Sequence, residues 1–135
     1  MYQIEDIYQL LEKHIPGEVV DPDSDIFDDF GCVGDDFHDM ISDYANTFKV
    51  DMSKYLWYFH GDEEGNGISM QIVDPPYKRV KRIPVTPEML LEFANSGKWG
   101  IDYPDHNLPK RRYDILFNQI LIVGLILYAI YSLVF

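Results

Sequence analysis

Between Asp35 and Phe48 the apolar side chains Phe37, Met40, Ile41, Tyr44 and Phe48 recur at steps of three and four. That period predicts a helix over 35–48 with these residues on one face. Asp36, Asp39 and Asp43 fall on the opposite face, and Asp35 stands where an N-cap is expected. Acids in a first turn also suit the helix dipole. Ile4, Ile7, Tyr8, Leu11 and Ile15 form a second stripe, which predicts a helix over about 2–14 stopped by Pro16-Gly17. Residues 16–34 read as a long loop in which Ile26, Phe27 and Phe30 are set among aspartates. Ser53 reads as the cap of a short helix through Phe59, whose run Tyr55-Leu56-Trp57-Tyr58-Phe59 suits the core of a small bundle better than a stacking platform.

The period then changes. Residues 61–67 are a polar turn, after which Ile68, Met70 and Ile72 alternate with polar residues and predict a strand over 68–73. Asp74-Pro75-Pro76 turns the chain, and Tyr77 to Val85 reads as a second strand carrying Lys78, Arg79, Lys81 and Arg82. The pair would form a hairpin, which needs further packing to be stable. Thr86 is the expected cap and Pro87 the first position of a helix over Glu88–Asn95, ending near Gly97, with Trp99 folding back on the core. The expected class is therefore α+β. Three helices at 2–14, 35–48 and 53–59 form a bundle, and the hairpin at 68–85 and the helix at 87–95 complete it.

Residues 101–109, with two prolines, read as a linker. From Ile115 to Phe135 there is no charge. As a helix this run spans about 31 Å, close to the hydrocarbon thickness of a bilayer. Lys110-Arg111-Arg112 stands just before it, which favours a cytoplasmic start, and Tyr128 and Tyr131 lie toward the far end. A small domain could not cover a helix apolar on every face, so the run predicts a transmembrane anchor. The expected organisation is a soluble acidic domain over 1–105, a basic juxtamembrane linker over 106–114 and a tail anchor over 115–135. The first residues lack the basic and apolar regions of a signal peptide.

Net charge is −12. That balance excludes phosphate-driven nucleic-acid binding. The acid is concentrated, since residues 18–51 hold eleven acids against one lysine. The single cysteine, Cys32, excludes an internal disulfide and metal sites built on several thiolates, and it reads as a buried inert thiol. An EF-hand loop starting at Asp21 fails because Ile26 and Cys32 stand where Gly and Glu are required. His14, His38, His60 and His106 show no metal-ligand spacing; His38 reads as a surface residue, and His60 beside Asp62 and Glu63 as a weak candidate for holding an ion or for an acid-base pair. Asp28/Asp29 and Asp35/Asp36 read as solvated carboxylates, and neither a nucleophile motif nor a phosphate loop is present.

Phe27-Asp28-Asp29-Phe30-Gly31, followed by the acidic helix, resembles the corresponding stretch of an acyl carrier protein over about residues 1–60. In that family a serine at the helix start carries phosphopantetheine. Gly34 stands at that position here, flanked by Val33 and Asp35, so the attachment motif is absent and no cofactor is expected. With Thr86-Pro87-Glu88-Met89-Leu90-Leu91 and Gly97-Lys98-Trp99, residues 1–105 more closely resemble a small bacterial family catalogued as a domain of unknown function, number 1493. True carriers dock basic patches of enzymes through an acidic second helix. The resemblance thus implies a non-catalytic, membrane-anchored adaptor or regulatory module. Asp35, Asp36, Asp39 and Asp43 would bind a basic protein partner, Lys110, Arg111 and Arg112 would flank the membrane, and the N-terminal domain would face the cytoplasm at the bacterial inner membrane. The alternatives are an enzyme with an unrecognised acidic site, for instance a metal-dependent hydrolase, and an immunity-type protein that neutralises a basic partner.

Overall fold

A computed structural model describes residues 1–17, 21–64 and 72–135. Four helices appear in chain order: α1 (Ile4–His14), α2 (Gly34–Phe48), α3 (Pro87–Ser96) and α4 (Tyr113–Val134). Asp6 starts α1 by accepting the Gln3 N–H at 2.8 Å. Thr86 starts α3 as expected, its Oγ1 accepting from Met89 N–H at 3.2 Å, with Pro87 at the first position and Gly97 ending the helix at φ +77°.

α1 packs against both α2 and α3. The apolar stripes read from the sequence form the interface: Ile7, Leu10 and Leu11 of α1, Phe37, Met40, Tyr44 and Phe48 of α2, and Leu90, Phe93 and Ala94 of α3 are buried. Full burial of one such aliphatic or aromatic side chain contributes about 2 kcal/mol. Within this interface the Tyr44 hydroxyl donates to the Leu90 carbonyl at 2.6 Å, and burial pushes its own pKa up. Trp99 folds back onto the core, 1% exposed, under an isolated parallel bridge between Asp51 and Lys98.

The α+β expectation is corrected. No strand forms among the described residues. Most of the stretch 68–73 lies outside them. The partner stretch from Tyr77 to Val85 is a 3-10 turn, Pro76–Lys78, followed by irregular chain. Its backbone groups bond one at a time to different segments. Ile83 N–H donates to the Phe59 carbonyl at 2.6 Å, and the Val85 carbonyl accepts from Ile26 N–H at 3.0 Å. A ladder requires successive groups to face one partner strand, and here they do not.

The bundle's third helix is likewise corrected. The aromatic run forms only the 3-10 turn Trp57–Phe59. Asp51, rather than Ser53, organises its start by accepting the Ser53 N–H at 2.9 Å. Leu56 N–H goes to the Tyr103 hydroxyl at 3.2 Å instead of a helical carbonyl. The helix that joins α1 and α2 in the core is α3. Beyond its first turns α4 stands clear of the domain, with none of its most apolar window buried, and it is long and apolar enough to cross a membrane.

Candidate functional site

The acidic start of α2 opens at Gly34, not at Asp35. Val33 is the N-cap and has no side chain to offer the helix. Gly34 lies at φ +58°, a left-handed conformation that favours glycine, and a Cβ there would run into the Glu64 side chain. Its N–H is met from far along the chain by Asp62 Oδ1 at 2.7 Å. His38, one turn on, bonds through Nε2 to the Asp62 carbonyl at 2.7 Å and is half-buried, not the free surface residue its pattern predicts. The segment 61–64 therefore covers the first turn of α2.

This geometry does not fit a phosphopantetheine attachment. Gly34 is buried, and no side chain can project from it without displacing Glu64. Cys32, the nearest nucleophile, is 4% exposed, and burial pushes its thiol up to about 11. At neutral pH it is an inert thiol.

The four acids proposed from the sequence divide. Asp35, Asp36 and Asp39 are exposed and make no ion pair among the described residues. Asp43 is half-buried and engaged: His14 Nε2 lies 3.0 Å from Oδ2, Thr47 donates to Oδ1 at 3.2 Å, and Lys13 stands 4.0 Å away. The His14 hydrogen bond, ahead of other influences, holds the Asp43 carboxyl below its ordinary range.

The remaining acids with close partners are structural. Arg82 forks onto both oxygens of Asp25, bonds Asp28 at 2.7 Å, and lies over the Phe27 ring at 4.7 Å from its centroid. Arg112 forks onto Glu63 at 2.8 and 3.0 Å and onto Asp114 at 2.6 and 2.9 Å, with its guanidinium 5.9 Å from the centre of Trp57. Of the three basic residues before the tail, Arg112 is thus bound to the domain, while Lys110 and Arg111 are exposed. Neither arginine's full role was legible locally: both partners of Arg82, and Glu63 of the two partners of Arg112, lie about fifty residues away in sequence.

His60 is not an acid-base partner of Asp62 or Glu63. It is fully buried, with Nδ1 bonded to the Ile83 carbonyl and Nε2 to the Tyr103 hydroxyl, both at 2.8 Å. A carbonyl can only accept, so Nδ1 carries the proton and Nε2 accepts from Tyr103. The Tyr103 oxygen in turn accepts from Trp99 Nε1 at 2.8 Å. Tyr55 stacks on the imidazole at a 10° interplanar angle. Desolvation, the leading cause, pushes the His60 pKa down to about 4, so the ring is neutral. Among the described residues no three His, Cys, Asp or Glu side chains come together as metal ligands.

A family model described as "Protein of unknown function (DUF1493)" matches residues 2–102. No curated protein and no solved structure matches the chain.

Proposed function

On the premise that the chain belongs to the DUF1493 family, whose description assigns no activity, we propose that it is a membrane-anchored docking module for a basic protein partner. The recognition face is the exposed first half of α2, formed by Asp35, Asp36 and Asp39, with Asp43 at its edge. One observation carries this reading. Asp25 and Asp28 share Arg82, Glu63 and Asp114 share Arg112, and Asp43 has His14, whereas Asp35, Asp36 and Asp39 lie together on one exposed stretch of helix with no cation among the described residues. Concentrated unpaired charge of one sign steers encounter with a complementary surface and sets partner choice. The likeness to carrier proteins supports the mode of docking and not the prosthetic group. α4 serves as the anchor, in a bacterial inner membrane, with the domain on the cytoplasmic side where Lys110 and Arg111 remain.

The test is affinity capture from membranes with the full chain, comparing the native protein with an Asp35→Lys, Asp36→Lys, Asp39→Lys triple variant. A protein with a basic surface should co-purify with the native chain, in a salt-sensitive manner, and be lost from the variant. Equal recovery on both would reduce the acidic face to a solvated surface.

A further inference from the structure

The root of α4 gathers cations from two separate parts of the chain. Arg79, with Lys78 beside it in the chain, comes from the turn after Pro75, and Arg111, with Lys110 beside it, from the segment entering α4. All four are exposed, and none makes an ion pair among the described residues. Arg79 and Arg111 line one small cleft together with Asp74, Pro76, Arg112 and Asp114. Arg112 is shared between Asp114 and Glu63, so Arg79, Arg111 and Arg112 balance Asp74, Asp114 and Glu63, and Lys78 and Lys110 supply the positive excess. Arg79 is held at this edge by its Nε donating to the Asp74 carbonyl at 2.8 Å. In a chain of net charge −12, this is a local excess of positive charge at one end.

Its position says what it meets. The uncharged part of α4 begins at Ile115, four residues after Arg111. If that helix crosses a bilayer, the cleft and the flanking lysines lie at the depth of the lipid headgroups. The outermost chemistry there is the phosphodiester, and arginine forks match phosphate oxygens. We propose that Arg79 and Arg111, with the neighbouring Lys78 and Lys110, form a headgroup-binding face selective for anionic phospholipids. The proposal rests on the reading of α4 as membrane-spanning and adds to it Lys78 and Arg79, which no flanking-charge rule would include. By holding the domain on the membrane at this end, the face would fix which way the acidic turn of α2 points.

The full chain, reconstituted in mixed phosphatidylcholine and phosphatidylglycerol vesicles, tests this with spin-labelled versions of the two lipids. Restricted motion of either label reports a helix in the bilayer, and the ratio of the two reports selectivity. The expected result is a preference for labelled phosphatidylglycerol that fades at high salt. In a Lys78→Glu, Arg79→Glu variant it should drop by up to about fivefold for each base lost. Equal restriction of the two labels by the native chain would overturn the proposal while leaving the membrane helix standing. So would a preference that the variant retains in full, since that assigns it to Lys110 and Arg111 alone. Restriction of neither label would remove the transmembrane reading, and this face with it.

Discussion

Arg82 and Arg112 are used alike and to different ends. Each guanidinium binds two carboxylates and lies near an aromatic ring. Arg82 closes the domain on itself by pinning the loop around Asp25 and Asp28. Arg112 joins the domain to the helix that leaves it. The lesson is in the freedom of the carboxylates. Asp25 is held on both sides: its N–H goes to Asp29, and the next residue, Ile26, bonds Val85. If Arg82 were removed, Asp25, whose side chain is 16% exposed, would be left largely desolvated and held in place by the loop. Asp114 is more deeply hidden, its side chain 5% exposed, but it sits on the first turn of a helix that otherwise stands clear of the domain, so it can hydrate by swinging away.

Acid gives the largest expected break, because it acts on the residue between the two clamps. His60 bonds the carbonyl next to Arg82 and lies three residues before Glu63. Its pKa is about 4 in the fold, against about 6.5 when unfolded. The folded state therefore refuses a proton that the unfolded state accepts. The associated stability is complete above about pH 6.5 and declines as the pH falls toward 4, by about 3 kcal/mol across that window. Both clamps depend on carboxylates, so this loss begins before they protonate. Thermal unfolding of the detergent-solubilised chain at pH 7 and pH 5 should show a clear drop. In His60→Gln, less stable throughout, the slope over this range should flatten. A native chain equally stable at both pH values would contradict a neutral, buried His60.

Arg82→Ala is expected to destabilise the chain by about 2 kcal/mol. The figure lies below that of a fully buried pair because the Arg82 side chain is a quarter exposed. Urea unfolding followed by near-ultraviolet circular dichroism measures it. Arg112→Ala should cost less, about 1 kcal/mol, because Asp114 can escape to water. Its larger effect should be faster proteolysis between Pro104 and Arg111 as the root of α4 comes free. Equal stability losses in the two variants, with the linker uncut, would erase the distinction between a clamp within the domain and one at its edge.

What was legible in the sequence followed from local period and local chemistry. The stripes of α1 and α2, the Thr86-Pro87 start and Gly97 end of α3, and the uncharged run of α4 are all written within a turn or two of themselves. The failures share a cause. Tyr77 to Val85 has strand-like composition, but its bonding partners are Phe59 and Ile26, and Arg82 is drawn to Asp25 and Asp28. The aromatic run at 55–59 has helix-compatible neighbours, but Tyr103 takes the Leu56 N–H from what reads as a linker. The start of α2 was placed at Asp35 because its real partner, Asp62, lies in a Gly-Asp-Glu-Glu turn with no local mark of that role. Three consecutive acids there have separate contacts: Asp62 meets Gly34, Glu63 meets Arg112, and Glu64 covers Gly34. This short segment links the exposed acids of α2 to the root of α4.

The smallest expected effect on stability belongs to the surface proposed for docking. Asp35, Asp36 and Asp39 are exposed and pair with no cation among the described residues, so no such pair is broken when they change. Two opposing influences act on Asp35 and Asp36, which lie in the first turn, while Asp39 lies beyond it. The helix N-terminus favours negative charge in its first turn, by about 0.5 kcal/mol per acid at an exposed site. Asp62 and Glu64 stand over the same turn and repel it. The two nearly cancel, so Asp35→Asn and Asp36→Asn, and Asp39→Asn at its exposed site, should each shift stability by no more than about 0.5 kcal/mol. Asp43→Asn is the control, since it weakens the His14 hydrogen bond between α1 and α2 and should cost more, about 1 kcal/mol. Association with a basic partner should rank the other way, with the three exposed acids slowing it when neutralised and Asp43 contributing least. If Asp43→Asn abolished binding while the other three left it intact, recognition would lie at the junction of α1 and α2 instead of the exposed turn.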